Sequence, residues 1–260
     1  MKAKKQFGQN FLNNDTIINN IVSLLNVEEN DLIIEIGPGR GALTNRLVNL
    51  KANLLCIEID TDMHIYLDKY ENNKCHIEYV DILSCNIKEL LKKYSYNNLY
   101  VIGNLPYYIT SPIMEYLIKC NINIKKMIFM VQKEVAQRFT SLPKNKEYGY
   151  MTLFLNYYYD VNYEFNVNKN NFNPVPKVDS AIITLDNKKK DYLKEDDNYF
   201  KFLKEAFKFK RKTLKNNLNN YNFESIKIIL NNNGLNDSAR PEELSQEVFI
   251  EIYNELKKTK

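Results

Sequence analysis

The sequence predicts an α/β protein: a doubly wound, mixed sheet of seven strands with helices on both faces, followed by a small all-helical C-terminal domain. Three observations carry that reading. Short β-branched or apolar runs alternate with helical patterns, a glycine-rich turn follows the first strong strand, and beyond Asp186 only helical patterns recur.

Taken in order, LIIEIG (32–37), LLCIEID (54–60), HIEYV (76–80), LYVIGN (99–104) and MIFMVQ (127–132) read as parallel strands, each separated from the next by a helical stretch. MTLFLNYYYDVNYEF and SAIITL then follow with no obvious helix between them, which predicts a closing antiparallel edge pair. Near Asp186 the pattern breaks into NKKKDYLKEDDN, a charge-dense hinge, so the expected domains are residues 1–186 and 187–260. In the second, FESIKIILNNNGL reads as a helix ended by Gly234, and SARPEELSQEVFIEIYNELKK as a turn before a terminal amphipathic helix.

With 260 residues, 44% of them hydrophobic, the chain can fill a real core. No run approaches the roughly 18 consecutive apolar residues of a membrane span, and MKAKKQFGQNF lacks a signal-peptide core, so the expected compartment is the cytoplasm with no membrane partner. Cys56, Cys75, Cys85 and Cys120 form no CxxC pair, and with His64 and His76 they make no metal-ligand spacing; they read as reduced thiols. Net charge is only +4, but it is concentrated. KFLKEAFKFKRKTLK (201–215) sets Lys201, Lys204, Lys208, Lys210, Arg211, Lys212 and Lys215 against Glu205, with Phe202, Phe207 and Phe209 interleaved. It reads as a basic helix, either a solvated face over core phenylalanines or a surface that tracks phosphates. Lys2, Lys4 and Lys5 offer a second candidate phosphate contact.

EIGPGRGALT follows the first strand and opens a helix, where doubly wound, Rossmann-like sheets bind nucleotides. Gly37, Gly39 and Gly41 make GxGxG rather than GxGxxG, which disfavours a dinucleotide oxidoreductase and leaves a structural tight turn as the plain alternative. Glu58 ends the second strand, where a carboxylate can accept hydrogen bonds from ribose hydroxyls, and Asp81 ends the third, where one can receive an adenine amine. Acidic strand ends suit a positively charged, phosphate-free adenosine ligand, S-adenosylmethionine. GNLPYYITSPI (103–113) raises a different question, because a plain turn would use Gly, Asp, Asn or Ser rather than an amide, a proline and two rings. That decoration suits a planar ligand.

KKQFGQNFL, EIGPGRGALT, IEID, VDI, GNLPYYITSPI, FMVQKEVAQRF, KEYGYMTL, FNPVPKVDSAII, FKFKRKTLKNNL and RPEELS run in that order through nearly the whole chain. Together they resemble the small-subunit ribosomal RNA adenine N6,N6-dimethyltransferases, a family related to the ribosomal RNA methylases of macrolide resistance. The resemblance implies a class I methyltransferase fold with a small helical domain behind it. It also implies a monomer that transfers methyl groups from S-adenosylmethionine to two adjacent adenosines near the 3′ end of small-subunit (16S) ribosomal RNA, within an assembling subunit.

Carried over by position, the resemblance assigns Asn10 and Leu12 to a lid over the cofactor, Gly37 and Gly39 to its methionine portion, Glu58 to the ribose, Asp81 to the adenine and Asn104 to the methionyl end. Asn10 as a helix cap and Leu12 as a staple are the plain alternatives. For catalysis, the N6 amine is a poor nucleophile whose lone pair is delocalised into the ring. Acceptors for both its hydrogens, the Asn104 side-chain carbonyl and the Leu105 peptide carbonyl, favour the pyramidal nitrogen of the transition state. Pro106 stiffens the loop, Tyr107 stacks on the target ring, Phe172 resembles the second clamp and Tyr108 shapes the pocket wall. A duplex adenine cannot enter such a pocket, so the substrate must be flipped or lie in a loop. Two alternatives remain open: the large-subunit resistance-type methylase, and a non-catalytic assembly or transcription factor on the same fold.

Overall fold

The computed structural model describes residues 4, 7–188 and 197–258; Lys2, Lys5 and residues 189–196 of the charge-dense hinge lie outside them. Among the described residues nine strands form: β1 (Phe11–Leu12), β2 (Leu32–Ile36), β3 (Asn53–Glu58), β4 (Cys75–Tyr79), β5 (Leu99–Asn104), β6 (Ile124–Gln132), β7 (Tyr159–Val167), β8 (Phe172–Asn173) and β9 (Ser180–Asn187). Seven make one sheet in the order β4-β3-β2-β5-β6-β9-β7. β2 to β6 pair in parallel, and β9 joins β6 antiparallel.

The chain builds outward from β2 through β3 to β4, then returns to the other side of β2 with β5 and β6. Strand order therefore reverses between β2 and β5, the position where open α/β sheets bind ligands beyond the carboxyl ends of their strands. All five residues of β2, LIIEI, are buried, because helices cover both faces of a parallel sheet. Glu35 is thus buried within an apolar strand.

Two features depart from the sequence reading. MTLFLNYYYDVNYEF is not one strand: Tyr150–Tyr158 is an α-helix, and β7 begins only at Tyr159. A continuous apolar run fits a buried helix as well as a buried strand, so its neighbours decide. Here Gly149 donates its N–H to the Thr152 hydroxyl at the helix start (3.2 Å), and Phe154 packs edge-on against Phe200 with ring centroids 5.0 Å apart. The expected basic helix over 201–215 is also interrupted. A helix ends at Ala206 and a short one resumes at Leu214. Between them the buried Asn217 side chain accepts from the Phe209 N–H (2.9 Å) and donates to the Phe209 carbonyl (3.2 Å), holding a turn. Lys208, Lys210, Arg211 and Lys212 are exposed on that turn.

A small sheet, unexpected from the sequence, pairs β1 with β8 so that Phe11 lies opposite Asn173 and Leu12 opposite Phe172. By contacts the chain divides into two compact units, residues 1–136 with 160–187, and residues 137–159 with 188–260. The excursion of 137–159 into the second unit is not contained in a single boundary at Asp186. Within that unit the helices Phe223–Asn232 and Gln246–Lys258 form as expected, Gly234 following the first at φ +71°. Among the described residues no helix is long and apolar enough to cross a membrane.

Gly103 brings β5 close against β2. A Cβ there would sit 2.6 Å from the Ile36 carbonyl oxygen on β2, which is backbone and cannot swing away. Gly103→Ala is expected to lower stability by about 1–3 kcal/mol through overpacking, read as a lower urea midpoint with unchanged slope.

Candidate active site

A cleft opens beyond the carboxyl ends of β2, β3 and β5, at the switch point. Asn10, Leu12, Gly37, Gly39, Glu58, Asn104, Leu105, Pro106 and Tyr107 all line it. Residues from four separate stretches of sequence therefore meet at one place.

Glu58 organises the floor. Its carboxylate is 4% exposed and accepts the Gly39 N–H at one oxygen and the Asp60 N–H at the other, each at 2.9 Å. Burial pushes its pKa up, although those backbone bonds oppose the shift. Gly39 has φ +57°, and a Cβ on it would come within 3.0 Å of the Phe11 ring, so the turn needs glycine for both conformation and space. Gly37 has φ +69°, and a Cβ there would meet only the Asn104 carbonyl, 3.9 Å away; its backbone is open towards the cleft.

The N-terminal segment covers this floor. Asp60, 1% exposed, receives the Lys4 ammonium (2.6 Å) and the Gln9 amide (2.7 Å). Burial alone would raise the Asp60 pKa, but the bonds from Lys4, Gln9 and the Asp62 N–H outweigh it and hold the carboxyl below its ordinary value. Asn10 does not cap the helix Asp15–Ser23, a role taken by Asn14, whose side chain accepts from the Ile17 N–H (3.1 Å). Instead the Asn10 peptide carbonyl accepts from the Asn104 side-chain amide at 2.9 Å. Only the nitrogen of that amide can donate, so the bond turns the Asn104 Oδ1 away from Asn10.

The loop after β5 is braced on both sides. The Leu105 N–H donates to the Met130 carbonyl (3.3 Å), and the Pro106 carbonyl accepts from the Ile109 N–H (3.1 Å) and the Thr110 hydroxyl (3.2 Å) as the next helix starts. The Tyr107 hydroxyl pairs with the buried Ser180 hydroxyl of β9 at 2.7 Å, which sets the ring's orientation, and burial raises the phenol's pKa. Tyr108 is 60% exposed, and its ring lies where a Cβ on Gly8 would touch it at 3.2 Å, so it packs on the N-terminal segment.

Three expected residues stand apart from the cleft lining: Tyr108, expected in the pocket wall, Phe172 and Asp81. Phe172 is only 3% exposed and belongs to the apolar core with Leu12 and Ile18, because the β1–β8 pair folds it inward. Asp81 follows β4 and spends one carboxylate oxygen on the Leu83 N–H (2.9 Å), closing a turn. Conversely, Glu35, Arg40, Phe11 and Ile59 line the cleft without having been singled out in the sequence. A lone carboxylate inside LIIEI is the signal that would have found Glu35.

Residues 1–258 match the family described as ribosomal RNA adenine dimethylase. The chain belongs to that family. It is 40% identical over 259 residues to a protein of Mycoplasma mycoides named Ribosomal RNA small subunit methyltransferase A, covering 98% of this chain and 97% of that one. A protein of the same name from Fusobacterium nucleatum is 41% identical over 259 residues and covers 96% of each. Among solved structures, a dimethyladenosine transferase from Plasmodium falciparum superposes with a TM-score of 0.79 at 26% identity, covering 95% of this chain and 98% of that one. The 23S rRNA methyltransferase ErmE, at 21% identity and TM-score 0.73 over 95% of this chain and all of that one, shares the fold. The dimethylase is thus a methyltransferase of Rossmann-like α/β architecture.

The cleft's chemistry fits a cationic methyl donor. Glu58 lines it with a carboxylate, Glu35 stands in its wall with its carboxyl bonded to Thr44 and Cys56, and Gly37 leaves room where a side chain would intrude. Glu35 is itself 1% exposed, and burial raises its pKa from 4.5 to about 7 against the opposing bond from the Thr44 hydroxyl (2.7 Å). A carboxyl whose folded pKa is raised contributes its full stability below the unfolded value and loses it as pH rises through the folded one. Between pH 4.5 and about 7 the dimethylase should therefore lose about 3 kcal/mol through this group. Glu35→Gln can still accept from Thr44, so its melting temperature should gain on the parent's across that window, as calorimetry at stepped pH would read.

Proposed function

We propose that this chain transfers methyl groups from S-adenosylmethionine to N6 of two adjacent adenosines near the 3′ end of small-subunit ribosomal RNA, during assembly of that subunit. The observation that carries the reading is the amide of Asn104, held by the Asn10 carbonyl beside a braced Leu105–Pro106–Tyr107 turn in the cleft that Glu58 floors. The small-subunit preference rests on relatives about 40% identical over nearly their whole length, against a 23S rRNA methyltransferase at 21%.

S-adenosylmethionine supplies, when bound, a methyl group on a sulfonium that needs no further activation. Gly37 and Gly39 offer backbone to its methionine portion, and Glu58 offers carboxylate oxygens to its ribose. Asp81 would accept its adenine amine beside the bonds its two oxygens already take from the Leu83 N–H (2.9 Å) and the Ser84 hydroxyl (3.5 Å). Asn104 Oδ1 and the Leu105 carbonyl each accept one hydrogen of the target N6, favouring its pyramidal form at the moment of attack. Pro106 fixes the loop so that both acceptors keep one aim, and Tyr107, tethered to Ser180, stacks on the target base. Phe172 can serve as a second clamp only if the β1–β8 pair opens. The nitrogen becomes acidic only after transfer, so water can take its proton and no basic side chain is required. On the second unit, Lys208, Lys210, Arg211 and Lys212 supply exposed positive charge for RNA phosphates.

Asn104→Ala should retain RNA binding and lose roughly 10²–10³-fold in methylation rate, as for removal of one transition-state hydrogen-bond partner. Single-turnover transfer of labelled methyl to unmethylated small subunits reads this; near-normal turnover would remove Asn104 from the mechanism. Mass spectrometry of the methylated RNA fragment should find four added methyl groups, two on each of two adjacent adenosines. Modification confined to large-subunit RNA would overturn the assignment.

A further inference from the structure

A second groove adjoins the cleft across β1. It shares Phe11, Leu12, Arg40 and Ala42 with the cleft, then runs out past Arg46, Lys69 and Asn173, with a volume of about 460 Å³, room for a nucleotide unit. Arg40, Arg46 and Lys69 bring three positive charges to its wall, against the single carboxylate of Asp15. Neutral amides, Asn13, Asn45 and Asn173, complete the polar lining.

The cations are held in place largely by rings. The Arg40 guanidinium stacks over Phe11 at 4.3 Å and lies 5.6 Å from the Tyr66 ring centre, and the Lys69 ammonium sits 4.8 Å from that of Tyr70. Arg46 is fixed by Asp15 (2.9 Å) and by the Asn19 side-chain oxygen (3.1 Å). Three cationic side chains against one carboxylate give the lining a net positive composition. Its position also matters. Asn173 follows Phe172 on β8, and β8 pairs with the strand that carries Phe11 and Leu12, so the groove lies along the small sheet bordering the cleft.

We infer that this groove is a binding site for the phosphodiester backbone of the substrate RNA, holding the nucleotide next to the adenosine that enters the cleft. The inference rests on RNA being the substrate and adds where a flanking phosphate is gripped. Arg46 and Lys69 line the groove and not the cleft, so changing them leaves the cofactor's surroundings alone. Asp15, the one carboxylate, opposes an anion there.

The test measures binding of an unmethylated fragment of small-subunit ribosomal RNA to the full chain at several salt concentrations. Arg46→Ala combined with Lys69→Ala should flatten the plot of log affinity against log salt by about 1.4, two single-strand phosphate contacts at about 0.7 each. Calorimetry should find S-adenosylmethionine bound as in the parent. Arg46→Lys with Lys69→Arg should keep the parent slope. Asp15→Asn should tighten RNA binding, most at low salt, although it breaks the same Arg46 pair. That opposite sign separates the proposal from a structural role, in which both changes would weaken binding together. A parent-like slope in the double Ala variant, or weaker binding by Asp15→Asn, would overturn the site. A parent that binds the fragment with no salt dependence would overturn the RNA reading itself, and the groove with it.

Discussion

The cleft depends on one carboxylate. Glu58 stands at the end of β3, almost fully buried, and both its oxygens are taken by backbone N–H groups, one from the glycine turn after β2 and one from Asp60. Those two bonds tie together loops that belong to adjacent strands. Each also compensates for burying a charge that would otherwise be strongly disfavoured. Asp60, positioned by the same contact, in turn anchors Lys4 and Gln9, so the covering segment is fastened to the strand end that forms the floor.

From that point the arrangement propagates. The fastened N-terminal segment delivers the Asn10 carbonyl to Asn104, and the short β1–β8 pair extends the same segment along the edge of the cleft. The Asn104 side chain is therefore oriented by a residue ninety-four positions earlier in the chain. Tyr107 receives equivalent support from Ser180 on β9. Rigid support of this kind is what the proposed pair of weak acceptors, an amide and a peptide carbonyl, would need to discriminate a pyramidal nitrogen from a planar one. Within the first unit Glu58 brings a carboxylate to the cleft, while Arg46 and Lys69 bring positive charge to the adjoining groove.

The sequence by itself determined the parallel strands, because short apolar runs bounded by turns leave little choice once helices separate them. It also determined the glycine turn, Glu58 and the GNLPYY loop, whose chemistry is local and therefore written in consecutive residues. Residues 150–158 were undetermined at that level, since an apolar run serves helix and strand alike until Phe200 packs against it. Only the tertiary structure decided the rest. The β1–β8 pairing joins residues far apart in sequence and folds Phe172 into the core, Asn217 breaks the basic helix by bonding a turn across it, and Asn10 finds its partner in Asn104 rather than in the nearest helix. The first and last of these join residues far apart in sequence, and the second, eight residues apart, is a side-chain-to-backbone bond that helical periodicity does not signal.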